Sequence, residues 1–402
     1  MIKKVSKNEL RLGMYIHSLD RAWMSHSFIR SRFMLRKEAD LQQILDSAIS
    51  SVQIDTLKGL DTLADSSREL AGQAFAPAPP EPGQERTSHL EELANAKQVH
   101  QEATALIHTL LNDVRMGRQI QVEHLQPVVT QITESILRNP WTLVSLCRIR
   151  EADTATFQHS VSSCALLIMF GHHLNLDRAT LQEAGVGGML HDIGKMRVPD
   201  HILNKPGRLT KEEAAIMREH VRLGVETLSQ TPGVPDLAMR VAAEHHEHCD
   251  GSGYPRQLRG SEISLWGRMA TIVDVYDAMT SNRIYHPGLE PAAALERLYR
   301  HCPDFFDEEL VEHFIQALGI YPVGSLVRLA SNRLAVVMEQ NPGGLLHPIV
   351  RVVYDIDRQQ ALEPFDLDLS RPEGAWDGVL GHEEPANWNL DPNPFLTLER
   401  LG

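Results

Sequence analysis

The chain has 402 residues, with 53 Asp and Glu against 39 Lys and Arg, for a formal charge of -14. That length holds two or three domains and a sizeable buried core. The negative balance disfavours long nucleic acid as a partner, since such binding rewards basic surfaces through counterion release; a small anionic ligand held by local cations stays open. The four cysteines, Cys147, Cys164, Cys249 and Cys302, are scattered without a C-x-x-C pair, which argues for reduced thiols rather than a disulfide framework or zinc knuckle. No stretch approaches the roughly 18 apolar residues of a membrane span, so the expectation is a cytoplasmic protein without membrane insertion.

Residues 1–65 mix short apolar pieces ("GMYIHSL", "RFMLR", "SVQID") with one helical stretch, "KEADLQQILDSAIS", and predict a small α+β accessory domain. Residues 66–89 are rich in Ala and Pro without an apolar period and read as a linker. Over 90–140, Leu93, Val99, Ala103, Leu106, Leu110 and Val114 share one helical face. A second helix is expected near Pro127, closed by Asn139-Pro140. These connecting helices could transmit a signal, form a homodimer, or pack within the molecule. Residues 141–320 show four further helical patterns with Gly and Pro loops, an all-α bundle. From 321 to 402 the runs "SLVRLA", "RLAVVME" and "PIVRVVYD" predict a small β extension with an acidic tail.

Histidines and carboxylates punctuate the apolar faces of the central helices. His159 lies in "TFQHSVSSCALLIM", and His191-Asp192 ends "AGVGGMLHDIGK". His220 sits four residues after Ile216 on a helix with a Thr210/Glu213 capping box, which points it toward the packed side. His245 and His246 follow Val241 and Ala242 by one turn, and Asp274 interrupts the apolar run "GRMATIVDVYDAM". A carboxylate buried there must be paired, hydrogen-bonded or bound to metal. Alone, a buried histidine is usually a hydrogen-bonded core residue and a helix-interior Asp is usually in an ion pair. The groups recur every 25 to 32 residues, however, so successive antiparallel helices can each deliver a ligand to one pocket. Nitrogen and oxygen donors in this number suit two Fe or Mn ions sharing a carboxylate. His172-His173, before a polar loop, reads as solvated surface, and His248 and His286 stay outside the set. "AGVGGML" lacks the lysine spacing of a phosphate-binding loop and reads as close helix packing.

In this order, "HDIGK" (191–195), "REHVRLG" around His220, "HHEHCDGSGYP" (245–255) and "DVYDAMTSNR" (274–283) resemble the HD-GYP family of HD-superfamily cyclic di-GMP phosphodiesterases, over about residues 145–320. The first 65 residues resemble an accessory domain of unknown function found ahead of such modules. The resemblance implies a metal-dependent phosphodiesterase that hydrolyses cyclic di-GMP, a bacterial second messenger, to pGpG and on to GMP in some cases. It places His159, His191, Asp192 and Asp274 on one metal, with Asp192 bridging to a second held by His220, His245 and His246, and with a bridging hydroxide as nucleophile. Lys195 would hold a phosphate oxygen or the hydroxide, and Arg283 would grip the nucleotide; their plainer readings are an exposed lysine and a surface salt bridge. Gly251, Gly253 and Pro255 would shape a rigid lip that offers Tyr254 to substrate or to a signalling protein partner; Tyr254 could equally be a loop anchor. Ala155 stands where some members carry a glutamate for a third metal, which favours two. Where the family often reads "DRPYRK", Ile284, His286 and Pro287 stand here, which opens the alternative of another cyclic dinucleotide. A third reading, a sensor that binds without turnover, has no need of a complete metal pair.

Overall fold

The computed structural model describes residues 87–148, 155–281, 288–341, 346–371 and 377–396, with parts of 2–55. The Ala- and Pro-rich segment lies outside the described residues up to 86, as do Arg283, Ile284, His286 and Pro287.

The N-terminal segment forms an antiparallel sheet of β1 (Ile2–Ser6), β2 (Tyr15–Leu19), β3 (Phe33–Met34) and β4 (Ser51–Asp55), in the order β1-β4-β2-β3. Alternation along β4 buries Val52 and Ile54 but not Gln53, and these pack with Val5, Ile16, Leu35 and Ile44 in a small core of their own. Ile44 belongs to the expected helical stretch, so the α+β reading stands.

Helix α1 (His89–Arg115) starts with a capping box, in which Ser88 Oγ accepts from Glu91 N and Ser88 N donates to Glu91 Oε2 at 2.7 Å. It is tied to α2 (Leu125–Arg138) through the buried Glu92, whose carboxylate takes Arg138 Nε at 2.7 Å and Ser135 Oγ at 2.8 Å. Asn139 ends α2 and caps α3 (Pro140–Leu146) by accepting from the amides of Trp141 and Thr142. Far from being a free connector, α1 buries Leu93, Val99, Ile107 and Leu110 in the same apolar core as the helices that follow.

Those are α4 (Ala155–His173), α5 (Arg178–Leu190), α6 (Asp200–Leu203), α7 (Lys211–Ser229), α8 (Asp236–Glu244), α9 (Leu265–Thr280), α10 (Pro291–Arg300) and α11 (Glu308–Leu318), with a 3-10 turn at Ile193–Arg197. Eight described helices thus follow α3 up to residue 318, where the apolar period suggested four patterns. Pro235 before α8 and Pro291 at the first position of α10 start new helices where the apolar spacing continues. Phe314 on α11 packs against Phe170 of α4 and Tyr276 of α9, with centroids 5.1 and 5.3 Å apart. Truncating such a buried ring to Ala typically costs about 3–5 kcal/mol. The first of the connecting helices also reaches the centre: α1 packs on the 3-10 turn, and His108 meets the Phe157 ring edge-on at 4.5 Å. Among the described residues, no helix is long and apolar enough to cross a membrane.

The C-terminal strands β5 (Leu326–Leu329), β6 (Arg333–Glu339), β7 (Ile349–Asp355), β8 (Gln360–Asp368) and β9 (Val379–His382) form an antiparallel sheet ordered β8-β7-β6-β5-β9. Its buried residues, among them Leu334, Val336 and Val350, belong to the helical core, so the sheet is not a separate appendage. The fully buried Arg351 pairs with Asp366 at 2.7 Å and donates to the Phe395 carbonyl at 2.7 Å. His89 at the start of α1 lies 3.1 Å from the Leu396 carbonyl, which fixes the acidic tail to the helical domain.

Glu290, just before α10, is 9% exposed, and its Oε2 has no hydrogen-bond partner. Burial pushes its carboxyl up to about 7, with Arg148 opposing and Glu384 adding to the rise. A folded pKa above the unfolded value means that this group's contribution is whole below about 4.5 and is lost as pH rises through 7. Glu290→Gln is therefore expected to stabilise the protein by about 1–3 kcal/mol at pH 8.5 and to make little difference near pH 5. Thermal unfolding at the two pH values checks this, and an equal effect at both would contradict it.

Candidate metal centre

Seven side chains from five helices and their ends converge. His159 lies on α4, His191 ends α5, Asp192 opens the 3-10 turn, His220 lies on α7, His245 and His246 follow α8, and Asp274 lies on α9. Donor atoms of His159, His191 and Asp192 fall within 4.8 Å of one another, as do those of Asp192, His220, His245 and His246. Asp192 is common to both groups. Its Oδ2 lies 3.4 Å from the Nε2 atoms of His159 and His191, and its Oδ1 lies 3.4 Å from His220 Nε2 and 3.7 Å from His245 Nε2. Asp274 reaches His159 Nε2 at 3.1 Å with Oδ1 and faces His246 Nδ1 at 3.6 Å with Oδ2.

The chain itself fixes the tautomers. Nδ1 of His191 donates to the Gly188 carbonyl at 2.8 Å, Nδ1 of His220 to Met217 at 2.7 Å, and Nδ1 of His245 to Ala242 at 3.0 Å. A carbonyl oxygen only accepts, so Nδ1 carries the proton and each Nε2 presents a lone pair to the pocket. Asp192 Oδ1, buried and without a hydrogen-bond partner, therefore faces two imidazole lone pairs. Converging lone pairs around a buried carboxylate repel unless a cation lies among them, and the donor set fits divalent metal.

The electrostatics agree. Burial holds His220 down at about 4, against the pull of Asp192, and drives His246 well below its ordinary value with the help of His245. Burial favours the neutral acid at Asp192 and Asp274, yet Lys195 and His191 outweigh it at Asp192, and the His159 hydrogen bond leads at Asp274. Both carboxyls stay well below the usual range. His159 behaves oppositely: burial disfavours its charge, but Asp192, Asp274 and Asp277 raise it well above its usual value. In metal-free protein the His159 proton supplies positive charge that a metal would replace.

Lys195 Nζ lies 2.5 Å from Asp192 Oδ2. Tyr254 stacks on His246, with centroids 4.7 Å and planes 31° apart, and burial pushes its phenol well up, so it stays protonated. Gly253 lies so close to the backbone of Glu247 and His248 that a Cβ would collide with both. His248 stays out of the cluster, 3.0 Å from Ser252 Oγ. Two readings change. Ile216, expected on the packed side, is 43% exposed although His220 is buried, because the packed stripe of α7 runs through Val221, Gly224 and Leu228. His173 is not solvated surface: it packs against His313, and burial lowers it to about 4.

Sequence reasoning missed the groups behind the cluster. Asp277, one turn after Asp274, is buried; its Oδ2 takes His159 Nδ1 at 2.5 Å and its Oδ1 accepts from Ser162. Glu247 accepts from the amides of Arg256 at 2.7 Å and Leu258 at 3.0 Å, while Glu244 accepts from Ser264 N and Arg256, so acids flanking the histidine pair hold the lip. The signal was present as acids at helical spacing in "DVYD" and "EHHE".

A family model described as "HD domain" matches residues 148–310, and one described as a domain of unknown function matches 2–125. The chain is 40% identical over 391 residues to a cyclic di-GMP phosphodiesterase of Pseudomonas aeruginosa, spanning 97% of this chain and 94% of that one. It is 41% identical over 128 residues to a 3'3'-cGAMP-specific phosphodiesterase of Vibrio cholerae, 32% of this chain and 24% of that one. A solved HDG"Y"P protein from Bdellovibrio bacteriovorus overlays with TM-score 0.47 at 15% identity, covering 78% of this chain and 98% of that one.

Asp277→Asn keeps the shape but weakens the acceptor that makes His159 basic, and is expected to lower metal affinity about 10- to 100-fold. Mn(II) titration followed by electron paramagnetic resonance measures this, and wild-type affinity would count against the role. Gly194 offers a second check, because a Cβ there would run into the His220 carbonyl and the Gly224 backbone. Gly194→Ala should destabilise by about 1–3 kcal/mol and spread the distance between the Asp192 turn and α7. A loss of bound metal larger than the loss of stability explains is the expected signature.

Proposed function

The chain belongs to the HD-GYP family of HD-domain phosphodiesterases, and from that premise we propose that it hydrolyses cyclic di-GMP to pGpG, and further to GMP, at two divalent metals, Fe or Mn. The observation that carries this reading is the Asp192 carboxylate, shared between two sets of imidazoles with one oxygen buried and unpartnered. His159, His191, Asp192 and Asp274 would hold one ion, and Asp192, His220, His245 and His246 the other. Ions bound there would supply a water acidic enough to attack phosphorus at neutral pH and charge to offset the phosphodiester.

The chain's own residues do the rest. The imidazoles stay aimed because backbone carbonyls and Asp277 hold their outer nitrogens. Lys195, beside Asp192, brings a positive charge to the reacting phosphate in a chain that is otherwise strongly negative. Tyr254 keeps its proton and can donate to a substrate oxygen or contact a partner protein at the lip. A second reading keeps the site and changes the substrate to 3'3'-cGAMP, the specificity of one relative that is 41% identical over 128 residues.

Product chromatography tests both. Full-length protein, purified anaerobically, is incubated with cyclic di-GMP or 3'3'-cGAMP and Fe(II), Mn(II) or chelator, with His191→Ala/Asp192→Ala as control. Metal-dependent pGpG or GMP that is lost in the control is the expected result. Faster cleavage of 3'3'-cGAMP would install the second reading, and intact substrate under every condition would overturn both.

A further inference from the structure

Helix α7 brings a second cation to the mouth of the site. The guanidinium carbon of Arg218 lies over the Tyr254 ring, 5.1 Å from its centroid, and that ring stacks on His246. Its surroundings differ from those of the other arginines on the same helix surface. Arg222 is neutralised by Glu219 at 2.7 Å and Glu226 at 3.4 Å, and Arg197 from the neighbouring turn also pairs with Glu226, at 3.2 Å. Arg218 is exposed and, among the described residues, has no acid at ion-pair distance. An arginine on an aromatic face keeps its N–H edges free, because the ring engages only the flat of the guanidinium. Here the orienting ring is anchored in turn on an imidazole of the Asp192 cluster.

We infer that Arg218 is a substrate-gripping residue of this site, oriented by Tyr254 so that its free N–H edge takes a phosphate oxygen of the anionic ligand. The inference rests on the cyclic dinucleotide reading above and adds a residue to it. The chemistry suits the position: a planar fork of donors matches a phosphodiester, and in a chain of charge -14 an unneutralised cation at the mouth is where an anion gains most. It also explains Tyr254 without requiring the phenol to touch substrate, since the ring serves as the platform that aims the guanidinium.

The experiment compares wild type, Arg218→Ala and Arg218→Lys as full-length, Mn(II)-loaded protein, measuring kcat and KM for cyclic di-GMP over a range of salt concentrations. Metal content and thermal midpoint are recorded for each. For Arg218→Ala we expect KM to rise about tenfold, the effect of losing one charge-assisted hydrogen bond, with kcat within about twofold. The salt dependence of kcat/KM should become shallower, because one screened attraction has gone. Arg218→Lys should restore the salt dependence but not the full KM, since it keeps the charge and loses the fork. An unchanged KM and salt dependence in Arg218→Ala would overturn the inference while leaving the phosphodiesterase reading intact. A fall in kcat at constant KM would overturn it in favour of a mere brace for Tyr254. If wild type neither binds nor cleaves cyclic di-GMP or 3'3'-cGAMP, the functional reading fails first and the inference with it.

Discussion

The arrangement of this molecule depends on one unbalanced interaction, a buried carboxylate ringed by imidazole lone pairs. Asp192 Oδ1 faces His220 and His245 with no proton between them, because the protons of both rings are committed to backbone carbonyls. Such an arrangement is repulsive by itself and cohesive around a cation, so folding energy from elsewhere must hold it ready. That energy comes from the apolar surfaces of α4, α5, α7, α8 and α9, which share one core, and from aromatic contacts such as Phe170 with Phe314.

Backbone supplies the precision. Three of the histidines are oriented by carbonyls within their own helices, three or four residues back, so their aim is set as soon as the helix forms. Only His159 uses a side chain, Asp277, and it is also the ring whose charge is raised rather than suppressed. The site thus divides into a side with rings aimed by the main chain and a side tuned by carboxylates. Beside it, the glycine-rich lip is pinned by Glu244 and Glu247.

Much of this was legible in the sequence because each candidate ligand interrupts an apolar helical face, and helical periodicity shows which side of a helix is packed. The spacing of one helix plus a loop then brings the interruptions together, and the seven convergent residues were all readable in that way. Asp277 and Glu247 were not, since a second acid beside a first looks like an ordinary solvated charge until the partner across the pocket is known. Ile216 misled because one turn of spacing to a buried histidine does not make a residue buried at the edge of a packed stripe. In the C-terminal strands, alternation gave the buried face but not the surface it is buried against, so a sheet continuous with the helical core read as an appendage. The clasp of Arg351 and His89 on the tail carbonyls involves partners 44 and 307 residues apart and leaves no local trace.

The placement of α1 has a mechanical consequence. This helix lies against the turn that follows Asp192 and carries Lys195, and touches Phe157 two residues before His159. A helix packed on both the turn after Asp192 and the helix of His159 has little freedom to rotate or slide without changing the spacing between them. Were α1 to shift, the spacing between His159 and Asp192 would have to shift with it, so its packing helps to set that spacing.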